Sequence, residues 1–213
     1  MVGKYESYRE LRETEQEGRD YRIRSWPGES GIAVMAPHGG EIEPGTTEIA
    51  EAMARNGHAF YSFEGIKPDH NQDLHIASTC FDEPVAGGIA AAATRVITIH
   101  GCRESEEAVV VGGLDTELRA SVRERLEKAG FSVREDPRLP GRSRMNICNR
   151  CGRGRGVQLE VTRGLRRRLF PGLTASERKS PLPLFFRFVE ALCDALQEHV
   201  PSGDAVSVPG HSA

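Results

Sequence analysis

Residues 31–57 read GIAVMAPHGGEIEPGTTEIAEAMARNG, and this stretch decides the fold. It begins with an apolar run typical of a buried strand and ends with helical spacing, in which Ile49, Ala52 and Met53 share one face. The turn between the two elements carries His38, two glutamates and several glycines and prolines. Because α/β proteins bind ligands where a core strand ends, this turn is a candidate functional site.

Strands and helices alternate along the rest of the chain. Repeated β-α-β order predicts an α/β protein, a three-layer α/β/α sandwich around a mixed, mostly parallel sheet of about eight strands. Apolar runs predict strands at 21–26, 31–36, 58–63, 74–79, 95–100, 107–112, 131–135 and 156–161. Helical periodicity predicts helices at 46–56, 84–94, 115–129 and 182–199.

The helix predicted at 115–129 has the clearest signals. Asp115 is suited to cap its N-terminus, and Gly130 is suited to end it. One apolar stripe faces the core at Leu118, Val122, Leu126 and Ala129.

Composition is that of an ordinary globular protein. The chain has 213 residues, with 28% charged and 38% hydrophobic, which suits one domain with a full core. We therefore predict a single catalytic domain over residues 1–200 and a flexible tail over 201–213. No apolar run approaches the roughly 18 residues that span a bilayer, so no membrane partner is expected.

The N-terminus and the cysteines bear on the compartment. The first twenty residues are polar and acidic, unlike a secretory signal. Five cysteines, an odd number, do not form a disulfide framework. These features predict a cytoplasmic protein that leaves the cell only on lysis or by another route, and we separately expect a monomer.

Positive charge is concentrated in one window, 138–168. It contains ten arginines, no lysine and a single acid, Glu160, although the chain as a whole has a net charge of −3. Arginine pairs bidentately with carboxylates and phosphates. The window therefore predicts a polyanionic partner.

Two histidines stand at matching places. His38 and His100 each follow an apolar strand and precede glycine, which lets the backbone turn sharply. Two histidines and one carboxylate with an open fourth position are a common ligand set of catalytic zinc. Spacing alone leaves both Glu41 and Glu43 open as the carboxylate.

Glu160 is the candidate general base. It ends the apolar run GVQLEV and is the only acid among the arginines. A base that activates water must be ionised, and neighbouring arginines are expected to keep the Glu160 carboxylate charged.

Four blocks of sequence resemble one known family. These are APHGGEIEPGTTEIA, LHIASTCFDEP, ITIHGCRE and NICNRCGRGRGVQLEVTRGLRRRLF, in this order between about residues 20 and 195. Together they resemble the phage-type poly-γ-glutamate hydrolases, which are relatives of the zinc carboxypeptidases. The resemblance implies a carboxypeptidase-like α/β/α sandwich with an open, mixed sheet.

The resemblance also implies roles for particular residues. The family carboxylate is the one before Pro-Gly, which makes His38, Glu43 and His100 the ligands of one zinc ion and Glu160 the base. Asn149 and Arg150 resemble the substrate-carboxylate clamp of zinc carboxypeptidases. Further expected roles are substrate contact for Arg163 and orientation of the ligands for His75 and Asp82.

The implied substrate is a polymer of glutamate joined through side-chain carboxyls. Each unit leaves a free α-carboxylate beside the bond to be cut, so the polymer is a dense polyanion. An arginine-rich groove is what such a polymer requires, and the charge pattern indicates the same partner independently.

Three other functions compete with this prediction. A zinc amidase of peptidoglycan would use a glutamate further along the following helix, Glu48 or Glu51, as its ligand. A deacylase of small N-acyl amino acids would need far fewer arginines. A phage-related nucleic-acid-binding protein would use the arginines for phosphate but leaves the two histidines unexplained.

Overall fold

The computed structural model describes residues 3–200 of the chain. Seven strands and six α-helices occur in this part. The strands are β1 (Tyr21–Trp26), β2 (Ile32–Gly40), β3 (Ala59–Gly65), β4 (Arg95–Cys102), β5 (Ala108–Gly113), β6 (Ser132–Arg134) and β7 (Val157–Thr162). The helices are α1 (Tyr8–Leu11), α2 (Thr46–Ala54), α3 (Pro84–Ala92), α4 (Thr116–Lys128), α5 (Arg163–Leu169) and α6 (Pro183–Gln197).

All seven strands belong to one open sheet with the order β1-β3-β2-β4-β7-β5-β6. The central strands β3, β2, β4 and β7 are parallel to one another, and so are β5 and β6. β1 is antiparallel to β3, and β5 is antiparallel to β7. The predicted mixed, mostly parallel α/β sheet is confirmed. The carboxyl ends of β2, β4 and β7 meet at one edge, and these strands carry His38, His100 and Glu160.

Alternating side chains of the buried strands pack into two separate apolar cores, one on each face of the sheet. In β2, Ile32 and Val34 pack on one face of the sheet, and Ala33 and Met35 pack on the other. The first core includes apolar residues of α2, α4, α5 and α6, and the second includes those of α1 and α3. Helices therefore cover both faces, as the three-layer prediction requires. Each fully buried aliphatic side chain contributes about 1.5–3 kcal/mol of hydrophobic free energy.

Helix α4 forms as the sequence predicts. The side chain of Asp115 accepts a hydrogen bond from the backbone N–H of Leu118 at 3.2 Å, which caps the first turn. Leu118, Val122 and Leu126 are fully buried. Gly130 follows the helix with φ of +86°, a conformation that glycine adopts without strain.

The strand predicted at 74–79 is wrong, so the sheet has seven strands and not eight. A 3₁₀ helix spans Asn71–Leu74, and the chain then continues as a loop. The alternation in this segment arises because Leu74 and Ile76 are both buried in the second core. Period-2 burial can therefore come from a loop packed under the sheet as well as from a strand.

The sequence patterns did not predict two of the helices, α1 and α5. α1 has four residues, too few for a periodic stripe. α5 lies inside the arginine window, where Thr162 caps it by accepting from the N–H of Leu165 at 3.3 Å. Among the described residues, no helix is long and apolar enough to cross a bilayer. The predicted tail 201–213 lies outside the described residues.

Candidate active site

A β-bulge turns His38 into the site. The register of β2 against β3 runs regularly to Ala36, which pairs with Ser62, and resumes with Gly39 opposite Glu64. One extra residue is thus inserted where Pro37 and His38 lie, and proline at this point removes a ladder donor. Bulges of this kind change the direction of a side chain. His38 is 2% exposed and lines a cavity of about 500 Å³ at the carboxyl edge of the sheet.

The turn after β2 brings Glu43 back toward His38. The backbone N–H of Glu43 donates to the carbonyl of His38 at 3.0 Å, and the hydroxyl of Thr46 donates to the carbonyl of Glu43 at 2.9 Å. One carboxylate oxygen, Oε2, accepts from the N–H of Gly101 at 2.8 Å. The contacts with His38 and Thr46 therefore fix the backbone of Glu43, and the N–H of Gly101 fixes its carboxylate.

Three side chains converge on one point. The Nδ1 of His38 lies 3.2 Å from Oε1 of Glu43 and 3.1 Å from Nδ1 of His100. His100 Nδ1 lies 3.8 Å from the other carboxylate oxygen. His38 donates its Nε2 proton to the carbonyl of Ile76 at 2.7 Å, because a carbonyl only accepts.

This arrangement needs a proton or a cation between its atoms. A neutral His38 with its proton on Nε2 presents a lone pair from Nδ1 toward a carboxylate and a second imidazole. Either a further proton or a metal ion must lie between these atoms. Ligands about 2.0–2.1 Å from a tetrahedral zinc lie roughly 3.3 Å from one another, close to the separations around His38. The donor set fits zinc, and the His38 proton on a backbone carbonyl is the support that metal-bound histidines usually have.

His75 is a further neighbour of this cluster. It follows the 3₁₀ helix, and its Nε2 lies 3.6 Å from Oε1 of Glu43. His38, Glu43 and His75 also offer ligand atoms within 4.8 Å of one another, which is a second way to hold a metal ion. The imidazole rings of His38 and His75 lie 3.9 Å apart between centroids. The structure thus places His75 against the carboxylate, where it was predicted to orient the ligands.

Burial and the histidines shift the acidity of the cluster. Burial by itself would raise the pKa of Glu43, but the nearby imidazoles outweigh it and lower this pKa to about 2. Burial and the charge of His38 lower the pKa of His100 to about 3. The Nε2 of His100 is buried and has no hydrogen-bond partner among the described residues. An ionised carboxylate beside neutral imidazoles is the state that a metal ion binds.

Glu160 lies beside the cluster on the neighbouring strand. β4 and β7 are parallel, and His100 pairs directly with Glu160 in their register. Gln158 donates to Oε1 of Glu160 at 2.9 Å, and Asn146 holds Gln158 in turn at 2.7 Å. The carboxylate lines the same cavity as the three converging side chains.

The expected ionisation of Glu160 is not what the protein groups alone produce. Burial, followed by the charge of Glu43, raises the Glu160 pKa well above its usual range, and Arg166 opposes this only in part. The prediction that arginines keep this carboxylate charged is therefore wrong for the protein groups by themselves. A divalent cation in the cavity would act in the opposite direction, because it is the largest local charge.

Arg166 joins the three segments that carry the site. Its guanidinium donates to the carbonyls of Pro44 at 2.6 Å, Cys102 at 2.9 Å and Val161 at 3.1 Å. The residue is 4% exposed, and burial lowers the pKa of its guanidinium. A side chain on Gly101 would place its Cβ 2.7 Å from the guanidinium carbon, so glycine is required there. Sequence reasoning gave Arg166 no structural role.

The predicted clamp is not brought into the cavity. Asn149 spends its amide on the backbone, donating to the carbonyls of Gly141 at 2.7 Å and Ser143 at 2.9 Å. Arg150 donates to the carbonyl of Phe81, and Asp82 accepts from the N–H of Tyr8 at 2.5 Å. Neither Asn149 nor Arg150 lines the cavity of the histidines. Their substrate role stays a prediction that these contacts do not favour.

Other arginines take their place at the cavity. Arg103, Arg138 and Arg142 line it, and only the last two belong to the predicted window. Arg163 lines the cavity on the other side of Glu43. The signal for Arg103 in the sequence is its position three residues after His100, just beyond the glycine.

The ligands that an amidase would need point elsewhere. Glu48 accepts from Arg178 at 2.7 Å, and Glu51 accepts from Arg24 at 3.0 Å. Neither glutamate lines the cavity of the histidines. The structure therefore leaves Glu43 as the carboxylate of the cluster.

The open mixed sheet, with a cavity lined by histidines and carboxylates at its carboxyl edge, defines the class of protein as an α/β protein with a ligand site at that edge. The chain belongs to the poly-gamma-glutamate hydrolase family, whose model matches residues 5–191.

Named relatives agree with this assignment. The SPbeta prophage-derived protein YoqZ of Bacillus subtilis (strain 168) is 35% identical over 201 residues, covering 92% of this chain and 73% of the relative. The structure of bacteriophage poly-gamma-glutamate hydrolase matches with a TM-score of 0.91 at 32% identity, over 93% of this chain and 98% of the other. The zinc-free apo form of YndL matches with a TM-score of 0.88 at 33% identity, over 92% and 98%.

Proposed function

We propose that this protein is a zinc-dependent hydrolase that cleaves the γ-glutamyl bonds of poly-γ-glutamate. His38, Glu43 and His100 hold one zinc ion, and Glu160 is the general base. The observation that carries the proposal is the convergence of two imidazole Nδ1 atoms and a carboxylate oxygen at 3.1–3.2 Å around His38. The family membership and the zinc-free form of YndL support both the reaction and the metal.

His100 is preferred to His75 as the third ligand for two reasons. It lies on the central strand β4 and not on a loop, so its position is fixed by the sheet. Its Nδ1 also lies 3.1 Å from the Nδ1 of His38, whereas His75 packs its ring against that of His38 and brings its Nε2 to 3.6 Å from Oε1 of Glu43. His75 then positions the carboxylate from the cavity side.

Each residue of the cavity has a defined task. Zinc supplies a Lewis acid that lowers the pKa of bound water and polarises an amide carbonyl. Glu160 takes the proton of the attacking water on its carboxylate and passes it to the nitrogen of the leaving amine. Gln158 orients Glu160 by donating to Oε1, which leaves Oε2 to take up the proton. Arg103, which forms no ion pair among the described residues, attracts the polyanion to the cavity, whereas Arg138 and Arg142 line it while paired with Asp136 and Glu135.

Among the residues predicted to bind substrate, Arg163 is the one that the proposal retains. It lies at a cavity that adjoins Glu43, whereas Asn149 is occupied by backbone groups. The paired carboxylates of the polymer favour guanidinium groups, which bind each carboxylate through two parallel hydrogen bonds.

The test is depolymerisation of poly-γ-glutamate, followed by polymer size on a gel. Zinc-loaded protein is expected to shorten the polymer, whereas chelated protein and Glu160→Gln are expected to leave it intact. Stoichiometric zinc with an intact polymer would refute the substrate and retain the metal centre. In that case peptidoglycan and small N-acyl amino acids are the next substrates to test.

A further inference from the structure

A second cavity adjoins the first at Glu43. Its volume is about 650 Å³, and its lining includes Glu43, Gly101 and Arg103, which also line the first cavity. A linear substrate whose scissile bond lies over the Glu43 carboxylate therefore has room to continue on this side. The second cavity contains no residue of the proposed proton-transfer machinery.

Three arginines without ion pairs line this second cavity. Arg103, Arg163 and Arg167 are exposed, and none forms an ion pair within residues 3–200. Arg138 and Arg168, in contrast, pair with Asp136 at 2.6 Å and Glu107 at 3.6 Å. Arginines of the same window thus differ in whether the protein neutralises them.

Two of these arginines repel each other when no anion is bound in the cavity. Arg163 and Arg167 are four residues apart on α5, so their side chains lie on the same face. Like charges at this spacing repel, and Arg166 and Arg168 add further positive charge to the same short helix. An anionic ligand in the cavity would relieve this repulsion.

The acids at the rim do not neutralise the arginines. Glu41 accepts from the buried Arg178 at 2.7 Å. Glu177 accepts from the hydroxyl of Thr174 at 2.6 Å and from its N–H at 3.0 Å. Glu43 belongs to the metal centre, so each acid lining the cavity is already engaged.

The far wall of the cavity is fixed in advance. Arg178 ties the segment 172–179 to the rest of the fold through Glu41 and Glu48, both at 2.7 Å. Gly172 lets that segment turn back against the Glu177 carboxylate, which a Cβ would collide with. Because this wall is already ordered, less conformational entropy is lost when a ligand binds.

We infer that this second cavity binds the free α-carboxylates of glutamyl units that flank the scissile bond. The guanidinium groups of Arg103, Arg163 and Arg167 bind these carboxylates through charge-assisted hydrogen bonds. The inference rests on the proposed function, because it is the γ-linked polymer that presents a carboxylate on every unit. It adds a binding site, on one side of the zinc centre, that sets the affinity for long substrates.

The experiment compares two double variants that remove the same charge. Arg163→Gln with Arg167→Gln empties the cavity of two guanidiniums. Arg12→Gln with Arg168→Gln is the control, because both residues are exposed and neither lines the second cavity. Arg103 is kept, since it serves both cavities. The readouts are the KM for poly-γ-glutamate and, in a zinc-loaded Glu160→Gln background, the Kd for fluorescent polymer.

The cavity variant is expected to raise both KM and Kd by about tenfold or more, with kcat at saturation nearly unchanged. The control is expected to stay within about twofold, as exposed charges do. The salt dependence of binding is expected to be shallower for the cavity variant, because fewer charge pairs remain to be screened.

Equal losses in the two double variants, or no loss in either, would overturn the cavity inference while wild-type cleavage upholds the proposed function. Failure of the zinc-loaded wild type to cleave the polymer would overturn both. Single-stranded DNA that binds the wild type more tightly than poly-γ-glutamate does, with this preference lost in the cavity variant, would also overturn it, because the arginines would then select phosphate.

Discussion

The Nδ1 atoms of His38 and His100 lie 3.1 Å apart, although the one proton of a neutral His38 is already donated from Nε2 to the Ile76 carbonyl. Two ring nitrogens this close need a cation or a shared proton between them. We expect one zinc ion per chain, and we expect His38→Ala, Glu43→Ala and His100→Ala each to weaken zinc binding more than about 100-fold, since even outer partners of metal ligands are worth 10–100-fold. Metal analysis and chelator competition measure this.

Two further variants separate the alternatives for the ligand set. Glu51→Ala is the matched control for Glu43→Ala, because Glu51 pairs with Arg24 and not with the histidines. Zinc loss in Glu51→Ala with retention in Glu43→Ala would contradict the proposal and favour the amidase. His75→Ala is expected to weaken zinc binding by about 10–100-fold, as a positioning residue does. A larger loss than that of His100→Ala would instead make His75 the third ligand.

Glu160→Gln is expected to reduce kcat by about 10²–10⁴ while zinc binding is retained. The amide keeps the shape and accepts the hydrogen bond of Gln158, but it cannot take a proton from water. Glu117→Gln is the control, since Glu117 is a surface acid paired with Arg153 at 3.2 Å. Steady-state rates on poly-γ-glutamate together with zinc content measure the effect. Loss of zinc in Glu160→Gln would show that this carboxylate is a ligand and not a base.

Asp115 is expected to dominate the stability of the α4 side of the sheet. Its carboxylate caps α4 and pairs with Arg95, which is 6% exposed. Asp115→Ala removes the buried carboxylate partner of that guanidinium and leaves only the more exposed Glu117, at 3.2 Å, so a loss of about 3 kcal/mol is expected. Asp115→Asn keeps the cap and is expected to lose less. Denaturant unfolding measures both, and a loss below about 1 kcal/mol for the alanine variant would mean that Arg95 finds another partner.

The sequence predicted the elements whose burial follows one period. α4 could be predicted because cap, stripe and terminal glycine agree, and the central strands could be predicted because both their faces are apolar. The segment 74–79 could not, since Leu74 and Ile76 alternate as in a strand while they pack a loop into the second core. The pairing that would distinguish strand from loop is a long-range contact that no local pattern contains.

Some residues of the candidate site could likewise be predicted from the sequence, and others could not. His38, His100 and Glu160 could be found because each ends a strand whose direction the β-α-β order implies, and parallel strands bring their ends to one edge. The sequence could not predict which arginines are exposed at a cavity and which are buried. Arg163 and Arg166 are three residues apart on α5 and line the same cavity, yet Arg163 is exposed and Arg166 is buried against three carbonyls. Only the packing of α5 on the sheet decides between them.

Arg166 is expected to act on zinc affinity without touching the metal centre. Its guanidinium holds the carbonyls of Pro44, Cys102 and Val161, which adjoin Glu43, Gly101 and Glu160 in the chain. Arg166→Met removes all three hydrogen bonds, and we expect zinc affinity to fall by about 10–100-fold as the supporting contacts are lost. Arg166→Lys keeps the charge, but an ammonium lacks the planar fork that reaches three carbonyls, so an intermediate loss is expected.

The effect of Arg166 on folding stability must be measured separately from its effect on zinc affinity. A buried arginine contributes to folding, so the unfolding midpoint of the zinc-free variants is measured beside their zinc affinity. Arg168→Met, on the exposed side of α5, is the control for the helix. If Arg166→Met unfolds, the lysine variant decides. A folded Arg166→Lys with wild-type zinc affinity and wild-type kcat would show that the three carbonyls hold their positions without the guanidinium, and Arg166 would then be structural alone.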